Sequence, residues 1–141
     1  MSKEWQSGED GEIRFPLPFR VYDGTGKGKR RPLVLYFSGN AFGAAPPRLG
    51  DAPAAAAMAE AGALVVEADF GGPTRNLFPG ALEKAFEALK HLFAKRKRFA
   101  NLHSPVLVAG DEAGGNLAAS LALKARDAMP GELAGQVLLS P

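Results

Sequence analysis

Four short and almost wholly apolar segments alternate with segments of helical character along this chain. The apolar segments are residues 32–37, 63–68, 105–110 and 135–140. Continuous apolar runs are typical of strands that are covered on both faces, as in parallel sheets. Because strands and helices alternate, the sequence predicts an α/β fold with a mostly parallel sheet, right-handed crossovers and helices on both faces.

Helices are predicted in each interval between these strands. The first covers residues 54–61, with Asp51 as its N-cap, and it ends at Gly62. Apolar residues at helical spacing predict a second helix over about 79–95, and a third is predicted over 113–128. Ligands of such sheets bind beyond the carboxyl ends of the strands, so a site is expected at that edge.

The residues ahead of the first central strand form two parts. Residues 1–11 are polar and are predicted to be a flexible arm. An edge strand is predicted within residues 13–22, because Pro16 and Pro18 cannot donate to a sheet and proline is confined to edges. A chain of 141 residues fits a single domain.

The composition excludes several classes of protein. Apolar residues make up 46% and charged residues 23% of the chain, which is ordinary for a soluble globular protein. The absence of cysteine excludes disulfides and thiolate metal sites, and neither a metal nor a cofactor is predicted. Residues 1–10 lack the apolar core of a signal peptide, and the apolar stretch 52–66 is too short for a membrane span. The predicted location is the cytoplasm.

The segment 106–116 predicts a strand, a sharp turn and the start of a helix. Its glycines at 110 and 114 have the spacing of the G-x-S-x-G elbow, in which a strained turn lifts a serine above a parallel sheet. The serine position is occupied by Glu112. Asp111 is expected to support the turn by hydrogen bonding. Gly110, Gly114 and Gly115 are expected to allow the helix to pack closely on the strand.

Four parts of the chain match motifs of one family. Residues 33–42, LVLYFSGNAF, are similar to a strand followed by an H-G-G-G-F loop, and 69–70 with 77–83 are similar to D-Y-R followed by F-P-A-x-x-D. Residues 110–119 match G-D-S-A-G-G-N-L-A-A except at the serine, and 134–141 resemble the strand after the nucleophile helix. The chain therefore resembles the hormone-sensitive-lipase-like esterases and lipases of the α/β-hydrolase fold.

This resemblance implies a function and a set of site residues. Residues 12–141 would be the N-terminal part of an α/β-hydrolase domain whose C-terminal strands are absent. The family hydrolyses carboxylic esters with a serine, a histidine and an aspartate or glutamate, so a small acyl-ester-like molecule is the candidate ligand. The oxyanion hole would be formed at Gly39, Asn40 and Ala41, together with the backbone N–H of Ala113.

The site departs from the family pattern at the nucleophile and in the oxyanion loop. Glu112 replaces the serine, and its carboxylate would repel an oxyanion at the N–H of Ala113. Asn40 and Ala41 stand where the family has glycines, whose backbone conformations alanine rarely adopts. The favoured interpretation is an inactive elbow. The alternative is that Glu112 itself attacks an ester or another electrophile, as an aspartate does in some hydrolases of this fold.

The acid and the histidine of the triad are also absent from their expected positions after the elbow. No histidine follows position 112, and His91 and His103 are expected to lie on the surface. Asp127 and Glu132 follow the elbow but are expected on the next helix and its exit loop, away from the site. The resemblance therefore leaves two hypotheses, a silent homologue and a hydrolase that is completed by a second chain.

Two further features concern partners. The basic clusters 27–31 and 95–98 lack interleaved aromatic residues, so they are interpreted as solvated turns and helix ends, and no nucleic-acid partner is predicted. The strand at 135–140 is expected to be an open apolar edge of the sheet, which tends to pair with other chains. A second polypeptide or self-association is therefore expected to cover it.

Overall fold

The computed structural model of this chain describes residues 15–24, 31–39, 52–69 and 80–139. Within them the strands are β1 (Phe19–Asp23), β2 (Leu33–Phe37), β3 (Leu64–Ala68), β4 (Val106–Asp111) and β5 (Gly135–Leu139). The helices are α1 (Pro53–Glu60), α2 (Gly80–Ala94), α3 (Arg96–Phe99) and α4 (Glu112–Ala128). The predicted arm 1–11, the basic residues 27–30 and the loop residues Asn40 and Ala41 lie outside the described residues.

The strands form one mostly parallel sheet in the order β1-β3-β2-β4-β5. β2 pairs in parallel with both β3 and β4, and β4 pairs in parallel with β5. β1 is antiparallel to β3 and lies at an edge, where proline is tolerated. Just before β1, the Pro18 carbonyl accepts a hydrogen bond from the Asp69 N–H at 2.9 Å. The predicted α/β fold and its edge strand are confirmed.

Helices cover both faces of the sheet. Every side chain of β2 is buried, because alternate residues point to opposite faces and each face has its own apolar cluster. Leu33, Leu35 and Phe37 belong to the larger cluster, which includes buried residues of α2 and α4. Val34 and Tyr36 belong to the smaller cluster, which includes buried alanines of α1. Burial on both faces explains why this strand is a continuous apolar run.

The helix ends differ in detail from the sequence prediction. The N-cap of α1 is Ala52, which has no side-chain capping bond, and Asp51, the predicted cap, lies outside the described residues. Pro53 stands in the first turn, where its missing N–H is not needed. Gly62 has a φ of 117° and follows the helix end, as expected. The single turn of α3 was not predicted.

The strand β5 lies at the other edge of the sheet. Among the described residues it pairs only with β4. Val137 and Leu139 are 37% and 38% exposed, and Leu123 on the neighbouring α4 is 57% exposed. The strand predicted at this position is therefore present, and its apolar side chains are partly in contact with solvent. Of the helices described, none combines the length and the apolar character needed to cross a membrane.

Candidate functional site

The turn between β4 and α4 has the backbone of a strained elbow. Asp111 is extended, with φ −122° and ψ 152°, and Glu112 immediately after it has a φ of 49°. Glu112 is the single non-glycine residue with positive φ in the described ranges. An L-residue in this left-handed region costs about 1–2 kcal/mol relative to the right-handed one. The sharp turn predicted at this motif is therefore present.

Two glycines allow the elbow to form against the sheet. A Cβ at Gly110 would lie 2.3 Å from the carbonyl oxygen of Gly114. A Cβ at Gly114 would lie 1.9 Å from the carbonyl oxygen of Phe37 in β2. Real Cβ atoms essentially never approach other atoms this closely, so only glycine fits at either position. Gly115 is also buried. At Gly114 the helix therefore packs directly against the backbone of β2.

The residue that begins the predicted oxyanion loop lies directly against the elbow. Gly39 is buried two residues after β2, and a Cβ there would lie 2.5 Å from the Cβ of Glu112. The backbone N–H of Gly39 donates a hydrogen bond of 2.5 Å to Oδ1 of Asp111. Because a carboxylate already accepts from this N–H, it is not available to a reaction oxyanion. Asn40 and Ala41, the other predicted donors of the loop, lie outside the described residues.

Asp111 supports the turn through both of its carboxylate oxygens. Its Oδ1 accepts from Gly39, and its Oδ2 accepts from the Tyr36 hydroxyl at 2.8 Å. Tyr36 is fully buried. Burial raises the pKa of this phenol far above its usual value, and the hydrogen bond to Asp111 raises it further. The phenol therefore stays protonated and remains a donor to the carboxylate.

Ala113, the other backbone donor predicted for the oxyanion hole, lies in the first turn of α4. N–H groups in the first turn of a helix have no intrahelical partner, so the N–H of Ala113 points out of the helix beside Glu112. Among the described residues no hydrogen bond or ion pair engages the Glu112 carboxylate, which is half-buried. Two like charges 4 Å apart repel by about 4 kcal/mol at an effective dielectric constant of about 20. An ionised Glu112 would therefore oppose an oxyanion at this N–H.

Both histidines lie far from the elbow. His103 precedes β4, so it is at the amino edge of the sheet, opposite to the elbow, and it is exposed. His91 is also exposed and lies near the end of α2, in edge contact with the Phe15 ring at a centroid distance of 6.5 Å. The expectation that both are surface residues is confirmed.

The two acids that follow the elbow in sequence are also remote from it. α4 begins at the elbow and has 17 residues, so Asp127 in its last turn lies about 22 Å away along the helix axis. Asp127 is in that last turn, exposed, and its Oδ1 is 3.3 Å from Nε of Arg126. Glu132 follows the helix and is exposed. Both acids are therefore exposed residues at or beyond the far end of α4.

The sequence prediction missed a buried pair near the same sheet edge. The Tyr22 hydroxyl donates to Oε1 of Glu67 at 2.7 Å and accepts from the N–H of Ala52 at 3.0 Å. Glu67 is 1% exposed, although charged side chains are rarely buried unless paired. The signal was a glutamate inside an otherwise apolar strand. No set of three or more histidine, aspartate or glutamate side chains suited to a metal ion occurs within the described ranges.

Comparisons with known proteins identify relatives. A family model described as the alpha/beta hydrolase fold matches residues 34–141. The carboxylesterase NlhH of Mycobacterium tuberculosis is 30% identical over 125 residues, which are 89% of this chain and 39% of that protein. The esterase LipI of the same organism is 32% identical over 96 residues, 68% of this chain and 30% of that protein. The chain thus spans less than half the length of these curated relatives.

A solved structure has the same fold as the family model that matches this chain. The structure of a hyperthermophilic esterase from the archaeon Pyrobaculum calidifontis superposes with a TM-score of 0.65 at 33% identity. That superposition covers 85% of this chain and 39% of the esterase chain. A similarity at this level supports the fold.

Proposed function

Since this chain belongs to the alpha/beta hydrolase fold family and has esterases among its relatives, we propose that it is a catalytically silent esterase homologue. Its role would be that of a binding or assembly subunit. The observation that supports this proposal most is Glu112, which occupies the tip of a retained elbow with a φ of 49°. Residues 12–141 would form the N-terminal part of the hydrolase domain.

The chemistry of acyl transfer explains why a glutamate at this position argues against activity. A serine becomes a nucleophile when a base removes its proton, and the developing oxyanion is then stabilised by aligned N–H donors. Attack by the Glu112 carboxylate on an ester would pass its charge to the tetrahedral oxyanion and then to the departing alkoxide, and would leave an anhydride that is less stable than the ester. If another group attacked instead, an ionised Glu112 would repel the oxyanion at the N–H of Ala113. The N–H of Gly39 is already bound to Asp111, so it would not stabilise the oxyanion in either case.

The positions of the two histidines and of Asp127 add to this argument. His91 and His103 lie on the surface away from the elbow, and α4 places Asp127 about 22 Å from it. A base must be within hydrogen-bond reach of the proton that it removes. None of these side chains meets that requirement for a group at Glu112.

A short-chain chromogenic ester, 4-nitrophenyl butyrate, tests the proposal. The wild-type chain and the Glu112→Gln variant, which keeps the size of the side chain without its charge, should both hydrolyse the ester no faster than buffer. The Glu87→Gln variant, an equal change on the exposed face of α2, controls for general effects. Turnover by the wild type that Glu112→Gln abolishes and Glu87→Gln does not would refute a silent role.

The second candidate function is an active hydrolase completed by another chain. The edge strand β5 favours it, because β5 pairs only with β4 among the described residues and Val137 and Leu139 are more than one-third exposed. Unpaired edges of this kind readily accept another strand. A second polypeptide, or a second copy of this chain, would cover β5, and a small acyl ester would be the substrate.

Native mass measurement of the purified chain separates these possibilities. A homodimer or a complex with a second polypeptide would support an assembly role for β5. The same sample should then be assayed with 4-nitrophenyl butyrate. Turnover only in the complex would favour the second function, whereas a complex without turnover would favour the silent subunit. A monomer without turnover would refute both forms of assembly.

A further inference from the structure

Four polar side chains form a row across four adjacent strands. Tyr22 on β1, Glu67 on β3, Tyr36 on β2 and Asp111 on β4 follow the spatial order of the strands, and phenols alternate with carboxylates. Tyr22 and Tyr36 belong to the apolar cluster beneath α1, and Tyr36 is the register neighbour of Glu67. Asp111 is two residues after Ala109, which belongs to the same cluster, so it points to the same face. We call these four residues the polar ladder.

Each phenol of the polar ladder donates to a carboxylate. The Tyr22 hydroxyl is 2.7 Å from Oε1 of Glu67, and the Tyr36 hydroxyl is 2.8 Å from Oδ2 of Asp111. Both tyrosines are at most 4% exposed. Hydrogen bonds from a neutral donor to a charged acceptor are stronger than neutral pairs, and a buried partner that loses one is left poorly solvated. The two carboxylate rotamers are therefore fixed.

The two ends of the polar ladder hold backbone groups. Asp111 accepts from the N–H of Gly39, which follows β2, and Tyr22 accepts from the N–H of Ala52, which precedes α1. The ladder thus determines where the chain leaves β2 and where it enters α1. Gly39 also lies against the Cβ of Glu112, so the position of Gly39 limits the space on that side of the elbow.

We propose that Tyr36 is a positioning residue for the elbow region and that Tyr22 has the corresponding role at the start of α1. Tyr36 acts through Asp111: its hydroxyl occupies Oδ2 and so turns Oδ1 toward the N–H of Gly39. Tyr22 acts directly on Ala52, and its own hydroxyl is oriented by Glu67. The inference rests on the proposed function only in taking the elbow as the ligand site, and it holds whether the elbow binds or hydrolyses.

Amide hydrogen exchange measured by NMR on the 141-residue chain tests the proposal. Tyr36→Phe should speed exchange about tenfold at Gly39 and leave Ala52 unchanged, since one hydrogen bond to a charged group is lost. Tyr22→Phe should give the reverse pattern. The amide of Val108, in the middle of β4, reports general destabilisation and should not change in either variant.

A double-variant comparison tests whether Tyr36 acts through Asp111. Asp111→Ala should speed exchange at Gly39 at least as much as Tyr36→Phe does. Adding Tyr36→Phe to Asp111→Ala should then give no further increase at Gly39, because the intermediate group is absent. A further tenfold increase would refute the proposed route.

The outcomes also distinguish this proposal from the proposed function. Equal acceleration at Gly39, Ala52 and Val108 in both tyrosine variants, or no acceleration at Gly39 in Tyr36→Phe, would overturn the positioning role. Neither result bears on ester hydrolysis. Conversely, wild-type turnover of 4-nitrophenyl butyrate would overturn the silent role and leave the crossed exchange pattern intact.

Discussion

The positive φ of Glu112 predicts that the same substitution has opposite effects at two glutamates. Glu112→Gly places a residue without a Cβ at a φ of 49°, where an L-residue is strained. Glu87→Gly, the matched control, places glycine on the exposed face of the right-handed helix α2. Both variants remove one negative charge and the same side-chain atoms. The two sites differ mainly in local backbone conformation, and Glu112 is also half-buried whereas Glu87 is exposed.

The expected magnitudes follow from known backbone energies. Relief of the left-handed strain at Glu112 gains about 1–2 kcal/mol. The greater conformational freedom of glycine in the unfolded chain lowers the free energy of unfolding by about 0.5–1 kcal/mol. We therefore expect Glu112→Gly to raise the free energy of unfolding by about 0.5–1 kcal/mol. At Glu87 there is no strain to relieve, so glycine should lower it by about 0.5–1 kcal/mol.

Urea denaturation followed by circular dichroism measures both values. The slope of the free energy against urea concentration should stay constant, so the midpoints report the difference. The two variants should differ by about 1–2 kcal/mol, well above the error of such curves. If Glu112→Gly destabilises the chain as much as Glu87→Gly does, the elbow is not strained at Glu112 and the interpretation of this turn is wrong.

Three further predictions concern packing, pH and association. Gly114→Ala should destabilise the chain by about 3 kcal/mol or more in the same denaturation assay, because its Cβ would meet a β2 carbonyl oxygen at 1.9 Å. The control Gly135→Ala should be tolerated, because its nearest contact would be at 3.5 Å. Burial is the main cause that raises the pKa of Tyr22 and of Tyr36 above 10.0, so the folded chain keeps protons that the unfolded chain loses. Stability should therefore be unaffected below pH 10 and fall above it by about 1.4 kcal/mol per pH unit for each tyrosine, and tyrosine-to-phenylalanine changes should flatten that dependence. Val137→Lys should abolish any self-association seen by analytical ultracentrifugation, whereas Val137→Thr should preserve it; unchanged association in the lysine variant would exclude β5 as the interface.

The central strands could be predicted from the sequence because both of their faces are buried. β2, β3 and β4 lie within one residue of their predicted limits, since each is a continuous apolar run with no competing helical period. The elbow could be predicted for a different reason. Its glycines are required by close approaches between the helix and the sheet, and this requirement fixes their spacing in the chain.

The polar ladder could not be predicted in the same way. Tyr36 and Asp111 are 75 residues apart in sequence, and they meet only because β2 and β4 are neighbours in the sheet. Alternation of residue types gives the face of a strand but not the order of strands. The prediction of Asp51 as the N-cap of α1 was wrong for a related reason. The helix begins after Ala52, whose N–H is bound by the Tyr22 hydroxyl from a distant strand. The single turn of α3 is too short to have a period.

The contacts of Gly39 with the elbow have a consequence for protein engineering. A saturation library over positions 39, 110, 112 and 114 should accept new side chains almost solely at 112, because every other position is enclosed by backbone or Cβ atoms. The scaffold would thus allow the residue at the tip of the elbow to be exchanged without rebuilding its neighbours. To design a new activity on this framework, position 112 is the one to vary, while Gly39, Gly110 and Gly114 should be kept.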